Sequence, residues 1–303
     1  MSGATALTRV RIAAHAKVNL LLRILARESG GHHQIETAFA LLELADEIVV
    51  ARSPTGISLQ VDGPDLGPTE QNLAVRAARS VLETTGGQFG VTITLTKRIP
   101  VRAGLGGGSS DAAAVLHAVN ALAGGVVPRQ ELLLLATRLG ADVTFFASGA
   151  PAALAWGRGE RLFRFPPCPA APVLVLVPAV AVATPDAYGW WDEMHPVPAS
   201  RGPVVLDADA FASWGSVGRL GGNDFEVPVF SRHPELRALY ERLAQTGPLW
   251  VRLCGSGSAV AAVYRTTRDR DDAAAAVAGR TVTTITTSTR AVAAPPPISE
   301  DHS

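Results

Sequence analysis

Residues 100–111 read PVRAGLGGGSSD, and the alanine-rich stretch AAAVLHAVNAL follows at 112–122. Four glycines within five positions exclude the interior of a packed strand or helix, because glycine loses the most backbone entropy on folding. A glycine loop that opens a helix presents free N–H groups and the positive end of the helix dipole to one point. The stretch therefore predicts an anion site, typically for phosphate. The alternative, a flexible turn with a Ser or Asp cap, requires one polar residue and no run of glycines.

The loop does not fit the two commonest nucleotide-binding patterns. A Walker A loop requires Gly-Lys-Ser/Thr, and no lysine lies between Pro100 and Ser110. The Rossmann fingerprint G-x-G-x-x-G fits Gly104 and Gly106 but places Ser109 where the third glycine belongs. The preceding segment, VTITLTK at 91–97, alternates polar and apolar residues, whereas a first Rossmann strand is apolar on both faces. A different class of phosphate-binding loop is therefore expected.

The composition is that of a globular chain with no charge bias. Its 303 residues are 47% apolar and 18% charged, and 27 basic side chains balance 27 acidic ones. This length predicts two domains or one large one, and the zero net charge argues against nucleic-acid and anionic-membrane partners. Cys168 and Cys254 lack metal-binding spacing, and the first residues lack the apolar run of a signal peptide. We therefore expect a cytoplasmic protein without a disulfide framework, whose oligomeric state the sequence does not indicate.

Periodicity and turn residues predict a mixture of helices and strands. Residues 8–61 alternate between strand-like runs and turns, which is typical of a β-rich region. Helices and strands are expected to alternate beyond it. The predicted helices lie at 72–87, about 110–123, 129–139, 184–193, 206–214, 234–246 and 271–278, and the predicted strands at 91–97, 173–178, 250–254, 259–264 and 281–287.

A proline-rich sequence suggests where the chain divides. FPPCPAAP at 165–172 interrupts the regular elements, so we expect an N-terminal domain at 1–164 and a C-terminal domain at 165–290. Residues 291–303 contain three consecutive prolines and no apolar periodicity, and we expect them to form a disordered tail.

Three further motifs have ordinary interpretations when each is taken alone. Lys17 in HAKVNL (15–20) could be an edge lysine whose aliphatic stem covers apolar surface. Asp142 in GADVTFF (140–146) could cap a helix, and LCGSGSAV (253–260) could be a hairpin turn. None of the three identifies a site by itself.

Taken together with the loop, these motifs resemble the GHMP kinase superfamily, which includes galactokinases, homoserine kinases and mevalonate kinases. The resemblance implies a two-domain α/β fold of two-layer α+β type, with the active site in the cleft between the domains. It also implies ATP and Mg²⁺ as cofactors, Asp142 as the catalytic base and Lys17 as the cation beside it. His15 and Thr144 replace prolines of the family pattern. The ATP-binding residues that it implies are Asn72, Pro100, Val101, Arg102, Ala103, Gly104, Leu105, Gly106, Gly107, Gly108, Ser109 and Ser110.

Segments outside these motifs are similar to one branch of the superfamily. GGHHQIET (30–37), QNLAVRAA (71–78) and VATPDAY (182–188) resemble kinases that act on a cytidine diphosphate derivative of methylerythritol. That resemblance implies that His33 recognises the cytosine and that His32 stacks on it, in place of the aromatic residue common in the branch. Asn19 and Thr184 are implied to lie near this small-molecule substrate.

The expected reaction is transfer of the γ-phosphate of ATP to the 2-hydroxyl of that substrate. Two alternatives stay open at this point. One is a GHMP kinase of the homoserine or mevalonate type, against which the segment 30–37 argues. The other is a non-catalytic nucleotide-binding protein on the same fold, against which the presence of Lys17, Asp142 and the glycines of the loop argues.

Overall fold

Two long strands organise the N-terminal half of the chain. The computed structural model describes residues 7–196, 207–279 and 281–299, and in it β1 (Arg9–Arg27) pairs antiparallel with β2 (His33–Ser53). The sequence predicts several shorter runs here. The strands continue instead through bulges between His15 and Lys17 and between Asn19 and Leu21. Polar residues can remain in the strand there because their side chains find buried partners.

Nine further strands and nine helices complete the described fold. The remaining strands are β3 (Ile57–Asp62), β4 (Gly90–Thr96), β5 (Ala152–Gly157), β6 (Arg161–Arg164), β7 (Pro172–Pro178), β8 (Trp250–Leu253), β9 (Val260–Val263), β10 (Val282–Ser288) and β11 (Ile298–Ser299). The helices are α1 (Leu73–Thr84), α2 (Gly107–Leu122), α3 (Arg129–Leu139), α4 (Ala141–Ala147), α5 (Thr184–Met194), α6 (Trp214–Val217), α7 (Glu226–Arg232), α8 (Pro234–Ala244) and α9 (Thr267–Val277).

The larger sheet has the strand order β11–β1–β2–β4–β3, and β5 and β6 extend it from β2. Its pairs are antiparallel except β3 and β4, which are parallel and are joined through α1. Helices α1 to α4 share an apolar core with one face of this sheet. Most of α2 is buried, and its alanines allow α1 and the sheet to approach closely. This packing fixes the position of the helix that the glycine loop opens.

The smaller sheet is antiparallel, with the order β10–β7–β9–β8. One face shares a core with the larger sheet, where Val173 and Val175 pack in the same cluster as Leu21. On the other face, Leu174 and Leu176 share a core with residues of α5, α7, α8 and α9. Alternate residues of β7 therefore serve two cores, as the period of a strand requires. The connection between the sheets, after Arg164 and before Pro172, contains the domain boundary predicted near residue 165, which we keep as a proposal.

Several elements differ from the sequence-based predictions. The segment predicted as a helix at 206–214 contains a 3₁₀ turn at Ala208–Phe211, and α6 begins only at Trp214; residue 206 lies outside the described residues. Strands β5 and β6 and helices α4 and α7 were not predicted. Each of these elements is seven residues or shorter, too short to show a clear period in the sequence.

The C-terminal segment also differs from its prediction. The sequence predicts disorder for 291–303, but residues 291–299 lie along the edge of the larger sheet. The Ala294 N–H donates to the Gly149 carbonyl at 3.3 Å, and β11 pairs with Val10 and Arg11 of β1. Prolines lack a donor but can cover an apolar surface, and Pro295–Pro297 line a small pocket beside α2. Residues 300–303 lie outside the described residues.

Candidate active site

A cleft of about 630 Å³ opens where the glycine loop, the two long strands and the smaller sheet meet. A volume of this size is typical of a site for a small molecule or a nucleotide. Tertiary packing brings most of the predicted site residues to it from distant parts of the sequence. Those that line it are Lys17, Asn19, Asn72, Pro100, Val101, Arg102, Ala103, Gly104, Leu105, Gly106, Gly107, Gly108, Ser109, Asp142 and Thr184.

The glycine loop ends in an open helix start. Gly106 is the N-cap of α2 in a left-handed conformation, with φ of 75°, and no side chain caps the helix. The first helical bond runs from Ser110 N–H to the Gly106 carbonyl at 2.9 Å, so the N–H groups of the three residues between them precede the helical ladder. A Cβ added at Gly108 would meet no atom within 4 Å. These features form a cradle of backbone donors suited to phosphate oxygens.

A second glycine loop contacts the first. Residues 254–259 connect β8 to β9, and the Ala259 N–H donates to the Ala103 carbonyl at 3.2 Å. A Cβ at Gly104 would lie only 1.8 Å from the Cys254 carbonyl oxygen, so glycine is required at this approach. Asn223 fixes the second loop by donating from Nδ2 to the carbonyls of Leu253 and Gly255, at 2.9 and 2.6 Å. The motif is thus a hairpin turn that also forms a wall of the cleft.

Lys17 and Asp142 face each other beside the loop. Lys17 Nζ lies 3.4 Å from Asp142 Oδ2 and donates to Asn19 Oδ1 at 2.7 Å. The Lys17 side chain is 4% exposed, whereas that of Asp142, in the first turn of α4, is 35% exposed. The Lys17 backbone N–H also donates to the Leu105 carbonyl, which attaches β1 to the glycine loop. A buried cation therefore adjoins a carboxylate that solvent or substrate can reach.

Asn72 and Thr184 occupy two other walls of the cleft. Asn72 is the N-cap of α1, where its Oδ1 accepts from Ala74 N–H at 2.9 Å. Its side-chain amide is consequently oriented by the cap, and Nδ2 remains as a donor. Thr184 begins α5, and its Oγ1 lies 2.9 Å from Ser256 Oγ of the second glycine loop. That contact joins α5 to the loop at the cleft.

The structure differs from the prediction at Ser110. Its side chain is buried and lines a separate pocket of about 230 Å³ together with His117 and Phe146. Successive helix residues point about 100° apart, and here the step from Ser109 to Ser110 turns the second side chain away from the cleft. Ser109 lines the cleft and Ser110 does not.

Neither of the two histidines predicted to contact the base lines the cleft. His33 Nε2 pairs with Asp192 Oδ1 at 2.7 Å, and its ring stacks on Tyr188 at 4.4 Å between centroids. Tyr188 does line the cleft, and burial, with a contribution from the Asp142 charge, raises its pKa to about 12. His32 is exposed. Tyr188 and Asp192 were not predicted from the sequence, although both follow Thr184 on α5 at helical spacing.

A buried cluster of charges beneath the loop was also missed. Lys97 donates to Asp111 Oδ2 at 2.8 Å and to Asp46, and both Lys97 and Asp111 contribute to the cleft walls. The available signals were a lysine directly before the loop and an aspartate inside the apolar sequence LLELADEIVV at 41–50. Within residues 7–196, 207–279 and 281–299, no group of three or more His, Cys, Asp or Glu is arranged to hold a metal ion.

Comparison with known proteins agrees with this geometry. Residues 72–150 match the family model of the GHMP kinase N-terminal domain, and residues 208–282 match that of the GHMP kinase C-terminal domain. A 4-diphosphocytidyl-2-C-methyl-D-erythritol kinase from Solibacter usitatus is 39% identical over 83% of this chain and 80% of its own length. The corresponding enzyme of Symbiobacterium thermophilum is 38% identical over 84% of this chain and 90% of its own. This chain belongs to the GHMP kinases, in the 4-diphosphocytidyl-2-C-methyl-D-erythritol kinase family.

Solved structures of GHMP kinases share the fold. A crystal structure of 4-(cytidine 5'-diphospho)-2C-methyl-D-erythritol kinase matches with a TM-score of 0.77 at 37% identity, covering 92% of this chain and 98% of that one. Homoserine kinase from Cytophaga hutchinsonii matches with a TM-score of 0.68, covering 98% and 99% of the two chains, but at 17% identity it shows the fold alone. The two-domain GHMP kinase fold expected from the sequence is therefore confirmed.

Across the described part of the chain, none of the helices combines the length and the apolar character needed to cross a membrane. The cytoplasmic location remains a prediction.

Proposed function

We propose that this chain transfers the γ-phosphate of ATP to the 2-hydroxyl of 4-diphosphocytidyl-2-C-methyl-D-erythritol. The observation that carries the proposal is the contact between Lys17 and Asp142, 3.4 Å apart, beside an uncapped helix start that can hold phosphate. Relatives 35–39% identical to this chain bear the name of that kinase. The names of these relatives support the proposed substrate, and the residues of the cleft support phosphoryl transfer as the reaction.

Phosphoryl transfer requires positioning and charge neutralisation more than covalent participation of the protein. The N–H groups at the start of α2 would hold the triphosphate, and Asn72 would contact the adenine. The substrate hydroxyl oxygen would attack the γ-phosphorus while the bond from that phosphorus to the β-phosphate oxygen breaks. ADP leaves with that oxygen, and Asp142 accepts the hydroxyl proton. Lys17 favours both the ionised hydroxyl and the charge on the transferring group.

Magnesium is expected to accompany the nucleotide. Mg²⁺ commonly binds through one or two carboxylates together with substrate phosphates and waters, so it does not require a preformed protein cage. The triphosphate held at the start of α2 can supply such ligands together with water, which leaves Asp142 free to accept the hydroxyl proton. When bound, the ion would neutralise charge on the phosphates.

The other end of the cleft suits the cytidyl substrate. Tyr188 contributes an aromatic ring beside His33, and aromatic rings stack well on nucleobases. Asn19 and Thr184 line the stretch near Lys17 and Asp142, where they would contact the polyol. His33 would recognise an edge of the cytosine, and His32, being exposed, would contribute at most a peripheral contact.

A coupled ADP-release assay with three alcohols tests this proposal. We expect turnover with the cytidyl substrate and none above background with homoserine or mevalonate. If only homoserine or only mevalonate is turned over, the protein is still a kinase, but the proposed acceptor alcohol is wrong. ATP binding without turnover on any of the three would support a non-catalytic nucleotide-binding protein instead.

A further inference from the structure

Three charged side chains form a buried cluster directly beneath the glycine loop. The side chains of Asp46, Lys97 and Asp111 are 0%, 4% and 3% exposed. They come from β2, from the residue that follows β4, and from the second turn of α2. Three charges with this little exposure are rarely kept together without a specific reason, because each has lost its hydration.

Asp46 holds the chain where it enters the loop. Its Oδ1 accepts from the backbone N–H groups of Arg98 and Ile99, at 2.5 and 2.8 Å, and its Oδ2 pairs with Lys97. These contacts fix the two residues that directly precede Pro100. The entry to the loop is consequently attached to β2.

Lys97 extends the same network to the exit of the loop. Its Nζ donates to Asp111 Oδ2 at 2.8 Å, and Asp111 lies one residue beyond Ser110. A Cβ added at Gly107 would lie 3.2 Å from Lys97 Nζ and 3.1 Å from Ile99 Cγ2, so the loop backbone rests on the cluster. One continuous set of contacts therefore joins both ends of the loop.

From this arrangement we infer that Asp46, Lys97 and Asp111 are positioning residues that set the geometry and the local charge of the ATP cradle. The inference rests on the proposed function only in taking the loop to bind ATP. None of the three is assigned a contact with the reacting atoms.

The charge of the cluster should make ATP affinity depend on pH, which uncharged residues that only support the loop would not do. Burial raises the pKa of Asp111 to about 7, opposed by the attraction of Lys97 and assisted by the repulsion of Asp46. Asp111 Oδ1 is buried and has no hydrogen-bond partner. Ionisation of Asp111 as the pH rises therefore adds a negative charge to the cluster beside the site for a triphosphate. ATP affinity should accordingly fall as the pH rises through about 7.

The experiment measures ATP binding by calorimetry without the alcohol substrate at several pH values between 6 and 8.5. We expect the ATP affinity of the parent to fall about threefold or more between pH 6 and pH 8.5. Asp111→Asn nearly preserves the shape of the side chain and removes its charge. This variant should bind ATP more tightly than the parent at pH 8 and should not show that fall. Lys97→Met leaves two buried carboxylates near the cradle, so we expect at least about tenfold weaker ATP binding. In steady state it should raise KM for ATP and leave KM for the alcohol nearly unchanged.

Asn120→Ala is a matched control at the other end of α2. Asn120 is buried and exchanges two hydrogen bonds with the Val127 backbone, at 2.9 and 3.1 Å. Its loss should lower Tm without changing ATP affinity. The inference is overturned if Lys97→Met behaves like Asn120→Ala, with a lower Tm and an unchanged ATP affinity. It is also overturned if the ATP affinity of Asp111→Asn depends on pH as strongly as that of the parent. Because calorimetry reads ATP binding alone, an incorrect acceptor alcohol would leave this result intact.

Discussion

Asp142 is the residue on which the proposed chemistry depends most. It lies 3.4 Å from Lys17, and its partial exposure leaves an oxygen available to a substrate hydroxyl. Asp142→Asn keeps the shape and removes the base, so we expect kcat to fall by about 10²- to 10⁴-fold with little change in substrate binding. Rapid-quench kinetics would separate the chemical step from product release. A fall of less than about tenfold would make Asp142 a structural residue of α4.

Lys17 provides a second test at the same point. Lys17→Met roughly keeps the volume of the side chain and removes the charge, so we expect a large loss of kcat that does not add to that of Asp142→Asn. The double variant measures this non-additivity. If Lys17→Met has the kinetics of the parent, Lys17 is an edge lysine whose aliphatic stem covers apolar surface and has no role in catalysis.

His33 tests the specificity of the site. Removing a hydrogen-bond partner of a bound base costs about 1–3 kcal/mol, so His33→Ala should raise KM for the cytidyl substrate about tenfold or more with KM for ATP unchanged. Asp192→Asn should have a smaller effect in the same direction, since Asp192 orients the His33 ring through Nε2. Comparison with a uridine analogue completes the measurement. Equal efficiency with both bases, together with an unaffected His33→Ala, would mean that this region does not read the base.

At this scale the sequence predicted the residues that belong to motifs and missed those that act through packing. Lys17 and Asp142 are recognisable because their neighbours form a pattern. Asp46 and Asp192 each stand in an ordinary strand or helix, and only the tertiary structure places them against Lys97 and His33. Ser110 was predicted to bind ATP, whereas its side chain lines the pocket beside α2, a register that follows from the start of α2 at Gly107 and not near residue 110.

Among the elements, the glycine loop and α2 form the unit that the sequence described best. The helix follows the loop as predicted, and its alanines pack where a close approach is needed. Strands β1 and β2 were less predictable, because their polar residues resemble turn residues until their buried partners are known. Prediction from local pattern therefore succeeded where conformation is set locally and failed where a distant chain segment sets it.

Gly108 allows the cradle to be tested without disturbing the fold. A Cβ there meets nothing within 4 Å, and alanine within a helix is favoured over glycine by about 0.5–1 kcal/mol. Gly108→Ala should therefore raise Tm slightly while weakening ATP binding. Gly106 is a poorer choice, since its Cβ would lie 2.8 Å from Phe146 and its φ is 75°.

Gly189→Ala is the matched control for Gly108→Ala. Gly189 lies in α5 with open space around it and outside the cleft, so its replacement should stabilise the protein and leave ATP affinity unchanged. Differential scanning calorimetry and ATP titration of the two variants make the comparison. If Gly108→Ala binds ATP as tightly as the parent, the backbone at Gly108 does not contact the phosphates.

Across the whole molecule, the C-terminal segment joins parts that the sequence treats as separate. The Arg290 N–H donates to the Leu41 carbonyl, Arg290 Nη1 pairs with Glu43 on β2, and β11 covers the edge of β1. Composition alone predicted disorder because proline-rich segments cannot form a core of their own. Here Ala294 packs against the core of the larger sheet, and β11 pairs with the edge of β1, which no local pattern reveals.

Truncation after Arg290 should consequently destabilise the protein. Removal of 291–303 uncovers the edge of β1 and the pocket beside α2, so we expect Tm to fall by about 2–6 °C. Truncation after Ser299 removes only 300–303 and serves as the control. Equal Tm values for the two truncated chains would show that residues 291–299 contribute nothing to the folded state.

Identification of the product tests whether Lys17 and Asp142 direct phosphorylation to the 2-hydroxyl of a cytidyl-linked methylerythritol. The purified chain is incubated with ATP, Mg²⁺ and a substrate labelled with ¹³C at carbon 2, and ³¹P and ¹³C NMR spectra are recorded. We expect a new phosphomonoester coupled to that carbon, formed by the parent and not by Asp142→Asn in the same time. A substrate that returns unmodified while ATP is bound, or a phosphate on any other carbon, would rule out this reaction.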